Sequence, residues 1–384
     1  MQITEQNHLK YKNRINLGSY YTDTKHVDTV WDFIEPHIDD DFIVLDTSCG
    51  YGNFLQKKSN NNKKIGNDID EVAISSSYKN IDDACLFNHN ALSEVSRRKY
   101  NINENDKLCI VGNPPYNDRT SIIRNNIKQI NFNIDNNIKT RDLGISFLRS
   151  YDKLNADIVC VLHPLSYLIK KTNFNLLKEF SRNYKLIKGK IISSGSFRQT
   201  SKNMQFPIVI ALYKKEKDGM NCDYIKHFKF EIQKDLFFKQ NSFDYISTYI
   251  KKYPNKYIQA DKNSILFWTI RDINALKRNR TFIEKASSNT IVVDKKKLDY
   301  YIYIDVFKRY ISHVPYYLGN CDVIINNSLF LKFKKYFILD SLFYQPKLRQ
   351  YYAQFDFSQT HYKNLAKEKI QLYLKQLLGE HYAN

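Results

Sequence analysis

The residues with the most obvious chemical potential are Asn113-Pro114-Pro115-Tyr116, where the apolar run Leu108 to Val111 ends abruptly. The run reads as a buried strand, and Pro114 forces Asn113 out of the helical region, leaving an amide at the strand's carboxyl end on a stiffened backbone. A neutral amide and a backbone carbonyl can both accept hydrogen bonds from a planar exocyclic amine, while Tyr116 can stack on the ring that carries it. The alternative is a plain turn.

A second constellation lies upstream, in Phe42 to Leu55. An apolar strand runs into Asp46, followed by a small-residue loop, Thr47-Ser48-Cys49-Gly50-Tyr51-Gly52, and a helix expected near Asn53. Such a loop lets backbone approach a ligand closely. It lacks both the Gly-x-Gly-x-x-Gly spacing and the Lys-Ser/Thr phosphate loop, and Asp46 favours a cationic or hydrogen-bond-donating group over a phosphate. Asp68 and Asp70 follow the next strand, about 20 residues on, where an acid can grip ribose hydroxyls or cap the helix from Glu71 to about Tyr78.

Other candidates are weaker. Tyr20-Tyr21-Thr22 precedes a helix over Val27 to Ile38 and serves either as a cap or as a closure over one edge of a cofactor. Asn90 suits a purine edge or a turn. Arg97, Arg98 and Lys99 read as a solvated face. His163 before Pro164 is more simply a packed residue than a general base. Phe197 in a polar turn is expected to be exposed and able to stack, whereas Phe206 is expected in the core.

These residues need a parallel sheet to gather them. Strands are expected at 42–46, 64–68, 84–87, 108–111, 157–162, 184–192 and 206–213, with helices between several of them, and a long connection over 117–140 suits a substrate-facing segment. Composition shifts at Lys214 to Gly219, the expected domain boundary. Beyond residue 213 there are 30 basic and 17 acidic residues, so +13 of the total +19 lies there. That excess favours a polyanionic partner. Short runs such as Tyr245 to Tyr249, Ile265 to Ile270, Tyr300 to Ile304, Asp322 to Ile325 and Tyr336 to Leu339 suggest a mixed α/β or β-rich module that ends in a helix over 361–378.

Six scattered cysteines form neither a disulfide framework nor a zinc cluster, and Cys49, Cys109 and Cys160 are expected as buried thiols in a reducing compartment. With no apolar amino-terminal segment and no run approaching 18 apolar residues, a cytoplasmic protein without a membrane partner is expected. No metal ligand motif is present, and no metal is expected.

Taken together, Tyr20-Tyr21-Thr22, Asp46 to Gly52, Asp68 and Asn113 to Tyr116 resemble the S-adenosylmethionine-dependent adenine-N6 DNA methyltransferase family, in the subgroup with cofactor motifs first and a carboxyl-terminal target-recognition domain. The resemblance spans roughly residues 17 to 213. Asn-Pro-Pro-Tyr also occurs in enzymes that methylate RNA guanine N2 or glutamine. The family implies a Rossmann-like class I methyltransferase sheet over residues 1–213 and a basic target-recognition domain over 214–384. It implies S-adenosyl-L-methionine held by Tyr21, Thr22, Asp46, Ser48, Cys49, Gly50, Gly52, Asp68, Asn90 and Asn113. It also implies a flipped adenine held by Asn113, Pro114, Tyr116 and Phe197.

Tyr51 and Asn90 depart from the family pattern, which usually has a smaller residue and an Asp there. The implied activity is sequence-specific N6 methylation of double-stranded DNA, as the methylase of a type II restriction-modification system whose endonuclease need not touch it. The alternatives are RNA adenine methylation and an inactive nucleic-acid-binding protein of the same fold. A glutamine methyltransferase would leave the basic second half without a purpose.

Overall fold

A computed structural model describes residues 22–56, 61–81, 83–116, 133–197, 205–255, 260–355 and 361–383. The chain divides into two compact units, Met1–Phe238 and Lys239–Asn384.

The first unit is built on a nine-stranded sheet. Its strands are β1 (Ile43–Asp46), β2 (Lys64–Asn67), β3 (Ala84–Phe87), β4 (Leu108–Gly112), β5 (Ile158–Pro164), β6 (Tyr184–Ser193), β7 (Pro207–Lys215), β8 (Phe230–Gln233) and β9 (Leu236–Phe238). They lie in the order β3-β2-β1-β4-β5-β7-β6-β8-β9. The first five are mutually parallel, β7 runs antiparallel to both β5 and β6, and β8 returns parallel to β6. This is a Rossmann-like class I methyltransferase sheet. The apolar runs of β4 and most of β5 are buried on both faces, as parallel strands covered by helices must be. Pro207 is tolerated because it is the first residue of β7, opposite Ser193.

Helix α1 (Thr24–Ile34) is capped by Asp23, which accepts from Lys25 N, and gives way to a short 3-10 turn containing Pro36. Its buried face, Val27, Val30, Trp31 and Ile34, packs into the main core, and Trp31 Nε1 donates to Phe54 O across 2.9 Å. One helix is thereby tied to the loop that follows β1. Helix α2 (Glu71–Ser77) is capped by Asp70, and α3 (Leu143–Lys153) by Asp142. The helix expected near Asn53 is only a 3-10 turn, Asn53–Leu55.

The domain boundary expected at 213/214 is corrected to 238/239. Strand β7 continues through Lys215, and β8 joins the first sheet beside β6, where Lys190 pairs with Glu231 at 2.8 Å. A charged stretch marked a turn rather than a boundary. Arg97 also departs from the expected solvated face. It is 3% exposed and donates to the carbonyls of Leu154, Asn155, Asn103, Glu104 and Asp106, so its charge is spread over peptide dipoles.

The second unit is mixed α/β. It carries an antiparallel three-stranded sheet, β12-β11-β13 (β11 Leu266–Trp268, β12 Phe282–Ile283, β13 Thr290–Val292), and a two-stranded ladder of β10 (Asp244–Tyr245) with β14 (Ile324–Ile325). Its longest elements are helices α4 (Leu298–Arg309), α5 (Asn327–Tyr344) and α6 (His361–Leu378). Tyr300 to Ile304 and Tyr336 to Leu339, which read as strand-like runs, are helical. Residues 301 to 307 of α4 are all buried, so the run carries no 3.6-residue alternation to betray the helix. Tyr303 sits among Phe307, Phe330, Phe337 and Tyr373, with ring centroids 5.0–5.9 Å away, and its hydroxyl donates to Ile324 O. No described helix is long and apolar enough to cross a membrane.

Candidate active site

In an open α/β sheet, ligands sit outside the carboxyl ends of the strands. Here the loops after β1, β2 and β4 meet at that edge. Asp46, the last residue of β1, is 1% exposed; its Oδ1 accepts from Ser48 N at 3.0 Å. Burial pushes its carboxyl up to about 8, the nearby Asp68 adding to the rise. Gly112 closes β4 directly against it: a Cβ there would lie 2.7 Å from Asp46 Oδ1, on a backbone with φ +143°. Only glycine fits, and that contact joins the two motifs physically.

Asn113 follows. Its Nδ2 donates to Thr22 Oγ1 at 3.1 Å, and Thr22 is 3% exposed. With one end of the amide fixed, Asn113 Oδ1 is a buried acceptor without a hydrogen-bond partner among the described residues, as are the buried Asp46 Oδ2 and Ser48 Oγ. Buried polar atoms without partners are uncommon because each costs about 1–3 kcal/mol. Three beside one strand edge form a set suited to donors from a ligand.

The loop between Asp46 and Asn53 is held from several sides. Asp68 Oδ2 accepts from Gly50 N at 2.8 Å and its Oδ1 from Asp70 N at 2.9 Å. A carboxylate has further lone pairs beyond these two bonds. Desolvation raises the pKa of Asp68, although part of the residue reaches solvent. Gly50 O accepts from Ser77 Oγ at 2.7 Å, Cys49 N donates to Asn67 O at 2.8 Å, and Gly52 N turns back to Cys49 O at 2.7 Å. Cys49, Cys109 and Cys160 are buried free thiols, as expected, with pKa values raised by desolvation.

Two supports escaped the sequence reading. Asn53 Nδ2 donates to Thr22 O at 3.1 Å, linking the loop after β1 to the segment that steadies Asn113. Fully buried Asn67 donates to Thr47 O and His89 O and accepts from His89 N, stitching the loops after β1 and β3 together. A polar residue ending the apolar run Ile65-Gly66-Asn67 was the available signal. Ile69, 48% exposed beside Asp68, is a further apolar surface at this edge.

Tyr116 is partly buried and packs on the core beneath the edge. Pro114 is buried. Tyr21 lies outside the described residues, as do Arg198 to Thr200 and residues 117–132 of the long connection. Phe197 is corrected: it is 2% exposed and tilted against His26 at 5.9 Å, in the core rather than in an open polar turn. Phe206 is the more exposed of the two rings. Asn90 Oδ1 accepts from Leu92 N and its Nδ2 donates to Asn133 O, so the amide serves a turn and its link to the next loop while keeping one lone pair and one N–H beyond those bonds.

His163 is 1% exposed. Its Nδ1 faces Pro164 O at 3.0 Å, which can only accept, so Nδ1 carries the proton and Nε2 accepts from Tyr213 OH at 2.6 Å. Burial lowers its pKa to about 4. The ring is a neutral structural residue.

Several solved structures are similar in fold. A protein assigned as an RNA methyltransferase from Pyrococcus horikoshii is 13% identical, with 52% of this chain and 88% of that chain covered and a TM-score of 0.36. A modification subunit attributed to a type I restriction enzyme from Vibrio vulnificus is 14% identical over 56% of this chain and 53% of that one, with a TM-score of 0.39. A dimethyladenosine transferase from Plasmodium falciparum is 16% identical over 52% and 64%, with a TM-score of 0.33. No protein-family model and no curated protein matches the sequence. The likeness is one of fold, and the chemistry of the site rests on its own residues.

Proposed function

We propose that this chain is an S-adenosylmethionine-dependent methyltransferase acting on the exocyclic amine of adenine in nucleic acid. The observation that carries the reading is the trio of buried polar atoms, Asp46 Oδ2, Ser48 Oγ and Asn113 Oδ1, which find no hydrogen-bond partner among the described residues and lie beside a Rossmann-like strand edge.

The residues present fit the cofactor. Asp46 and Ser48 offer a buried acceptor and a hydroxyl to the cationic amino-acid end, Asp68 offers lone pairs to ribose hydroxyls, and exposed Ile69 offers an apolar face to a purine. When bound, S-adenosylmethionine supplies an electrophilic methyl group on a sulfonium sulfur.

The chain's own contribution is orientation. Asn113 Oδ1, its direction set by Thr22, accepts one hydrogen of the adenine N6, and the Pro114 carbonyl accepts the other. These bonds fix the plane of the amine and leave its lone pair out of the ring plane, open to an electrophilic methyl group. Tyr116 stacks on the base, offsetting part of the few kcal/mol that removing a base from a helix costs. The N6 proton leaves to solvent with or after methyl transfer, so no strong base is required beforehand. Neutral, buried His163 agrees with this, and positioning supplies most of the rate.

The finer reading, sequence-specific methylation of double-stranded DNA within a type II restriction-modification pair, rests on the motif resemblance. Of the 30 basic and 17 acidic residues beyond residue 213, 24 and 12 belong to the second unit, which supports a polyanion-binding, target-recognising role for it. An adenine in RNA offers Asn113 and Tyr116 the same amine and ring, so RNA is the alternative acceptor.

The test is labelled-methyl transfer to mixed-sequence duplex DNA and, separately, to mixed RNA, followed by nucleoside analysis. N6-methyladenine from either pool is the expected product, and the pool that yields it decides the acceptor. Binding of S-adenosylhomocysteine without N6-methyladenine from either pool would overturn the adenine-methylating reading.

A further inference from the structure

A buried chain of polar rings runs beneath the candidate site and ends at the floor of Tyr116. Tyr213 OH donates to His163 Nε2, and the His163 ring stacks on Tyr167 at 5.4 Å and 11°. Tyr167 OH donates to Asp142 Oδ1, the oxygen that also accepts from Gly144 N at 3.0 Å. His163, Tyr167 and Tyr213 are each 1% exposed or less. Every link joins a different element: β7, β5, the short helix Ser166–Ile169, and the capping residue of α3.

Gly144 is where this chain meets Tyr116. A Cβ at Gly144 would stand 2.8 Å from Tyr116 Cβ and 2.5 Å from the Tyr167 hydroxyl oxygen. Neither approach is tolerable, and the obstacle at Tyr116 is the root of the side chain rather than its mobile end. The missing side chain is what allows Tyr116 to sit this low, and the hydrogen-bonded, stacked partners below leave the floor no room to yield.

We infer that Gly144 and Tyr167 are positioning residues for the acceptor ring: the braced floor they form sets where Tyr116 stands relative to Asn113. The inference rests on the acceptor reading above, because it gives Tyr116 its purpose. Neither residue belongs to the Asp46–Asp68 side of the edge, so cofactor affinity and acceptor affinity should separate on substitution.

The experiment compares Gly144→Ala and Tyr167→Phe with the wild-type full chain. Acceptor half-saturation is measured in the labelled-methyl assay and S-adenosylhomocysteine affinity by calorimetry. Gly144→Ala is expected to raise the acceptor concentration for half-maximal transfer roughly 10- to 100-fold. Cofactor affinity should stay within about twofold. Tyr167→Phe, which keeps the stacked ring and removes only the hydroxyl, should show the same split at smaller size, and it decides the matter alone if Gly144→Ala does not fold. Both affinities falling together, or an unmoved acceptor half-saturation, would overturn the inference.

If wild-type protein transfers no methyl to either pool, the methyltransferase reading fails separately. The floor is then judged by fluorine NMR of 3-fluorotyrosine-labelled protein, with Tyr116→Phe identifying the Tyr116 signal. A shifted Tyr116 signal in either variant supports the floor, and an unmoved one in both overturns it.

Discussion

Asn113 and Thr22, 91 positions apart, share a hydrogen bond of 3.1 Å from the Asn113 side-chain nitrogen to the Thr22 hydroxyl oxygen. The bond turns a freely rotating amide into one with a defined acceptor end, and Thr22 is itself held by Asn53 through its backbone carbonyl. Asn113→Ala should therefore remove most methyl transfer while leaving S-adenosylhomocysteine binding and folding intact. Thr22→Val, which keeps shape and loses the hydrogen-bonding oxygen, should lower turnover about 10-fold by loosening the amide's orientation. Paired turnover and calorimetric titration check both; undiminished turnover in Asn113→Ala would exclude the amide from the chemistry.

Cofactor binding should be proton-linked through Asp46. In the free protein burial first, and then Asp68, raise the Asp46 carboxyl to about 8, while the Ser48 amide opposes the rise. At pH 7 the group is therefore mostly protonated. A cationic ligand binds the carboxylate, so affinity should strengthen as pH rises from 6 towards 8 and level off above it, with a proton released on binding. The same raised pKa means that the folded state binds more protons than the unfolded one between roughly pH 4 and 8, so Asp46 lowers stability as pH rises through that window. Titration calorimetry in buffers of different ionisation enthalpy reads the released proton directly. Asp46→Asn should abolish it, and proton release persisting in that variant would point to another group.

Phe197→Ala should act on stability. The ring is nearly fully buried in the core with Val27, Val30 and Ile208, and truncating such a residue costs about 3–5 kcal/mol. Urea unfolding measures this. A loss below about 1 kcal/mol would contradict its place in the core and return it to the role of a base-stacking wall.

In the second unit, Arg309 lies between two buried carboxylates, 2.7 Å from Asp305 Oδ2 and 2.7 Å from Asp340 Oδ2. Asp305 also accepts from Thr281, Ser341 and Gln345, so the network joins α4, α5 and the segment between β11 and β12. Arg309→Met leaves two like charges buried together and should cost about 3–5 kcal/mol. Limited proteolysis of the full chain should then cut preferentially within residues 239–384, and unchanged protection of that unit would show that the network contributes little.

The consecutive residues of this chain determined the first seven strands of its first unit, the order of their loops and the residue types offered at the sheet edge. Apolar runs of four to eight residues, Gly-rich loops and an Asn before Pro act through local backbone preferences, so Asp46, Asp68, Asn113 and Tyr116 were legible without the fold. Only the tertiary structure decided who faces whom. Phe197 looked open because its neighbours in sequence are polar, but the residues that bury it come from α1 and β7. Asn90 reads in sequence as either a purine contact or a turn residue, and the fold adds a link to Asn133 O that no local pattern encodes. Tyr300 to Ile304 and Tyr336 to Leu339 looked like strands because a helix buried on nearly all sides loses the periodicity that would reveal it. The Thr22–Asn113 bond and the fit of Tyr116 over Gly144 depend on residues far apart in the chain, and no local preference of either partner encodes them.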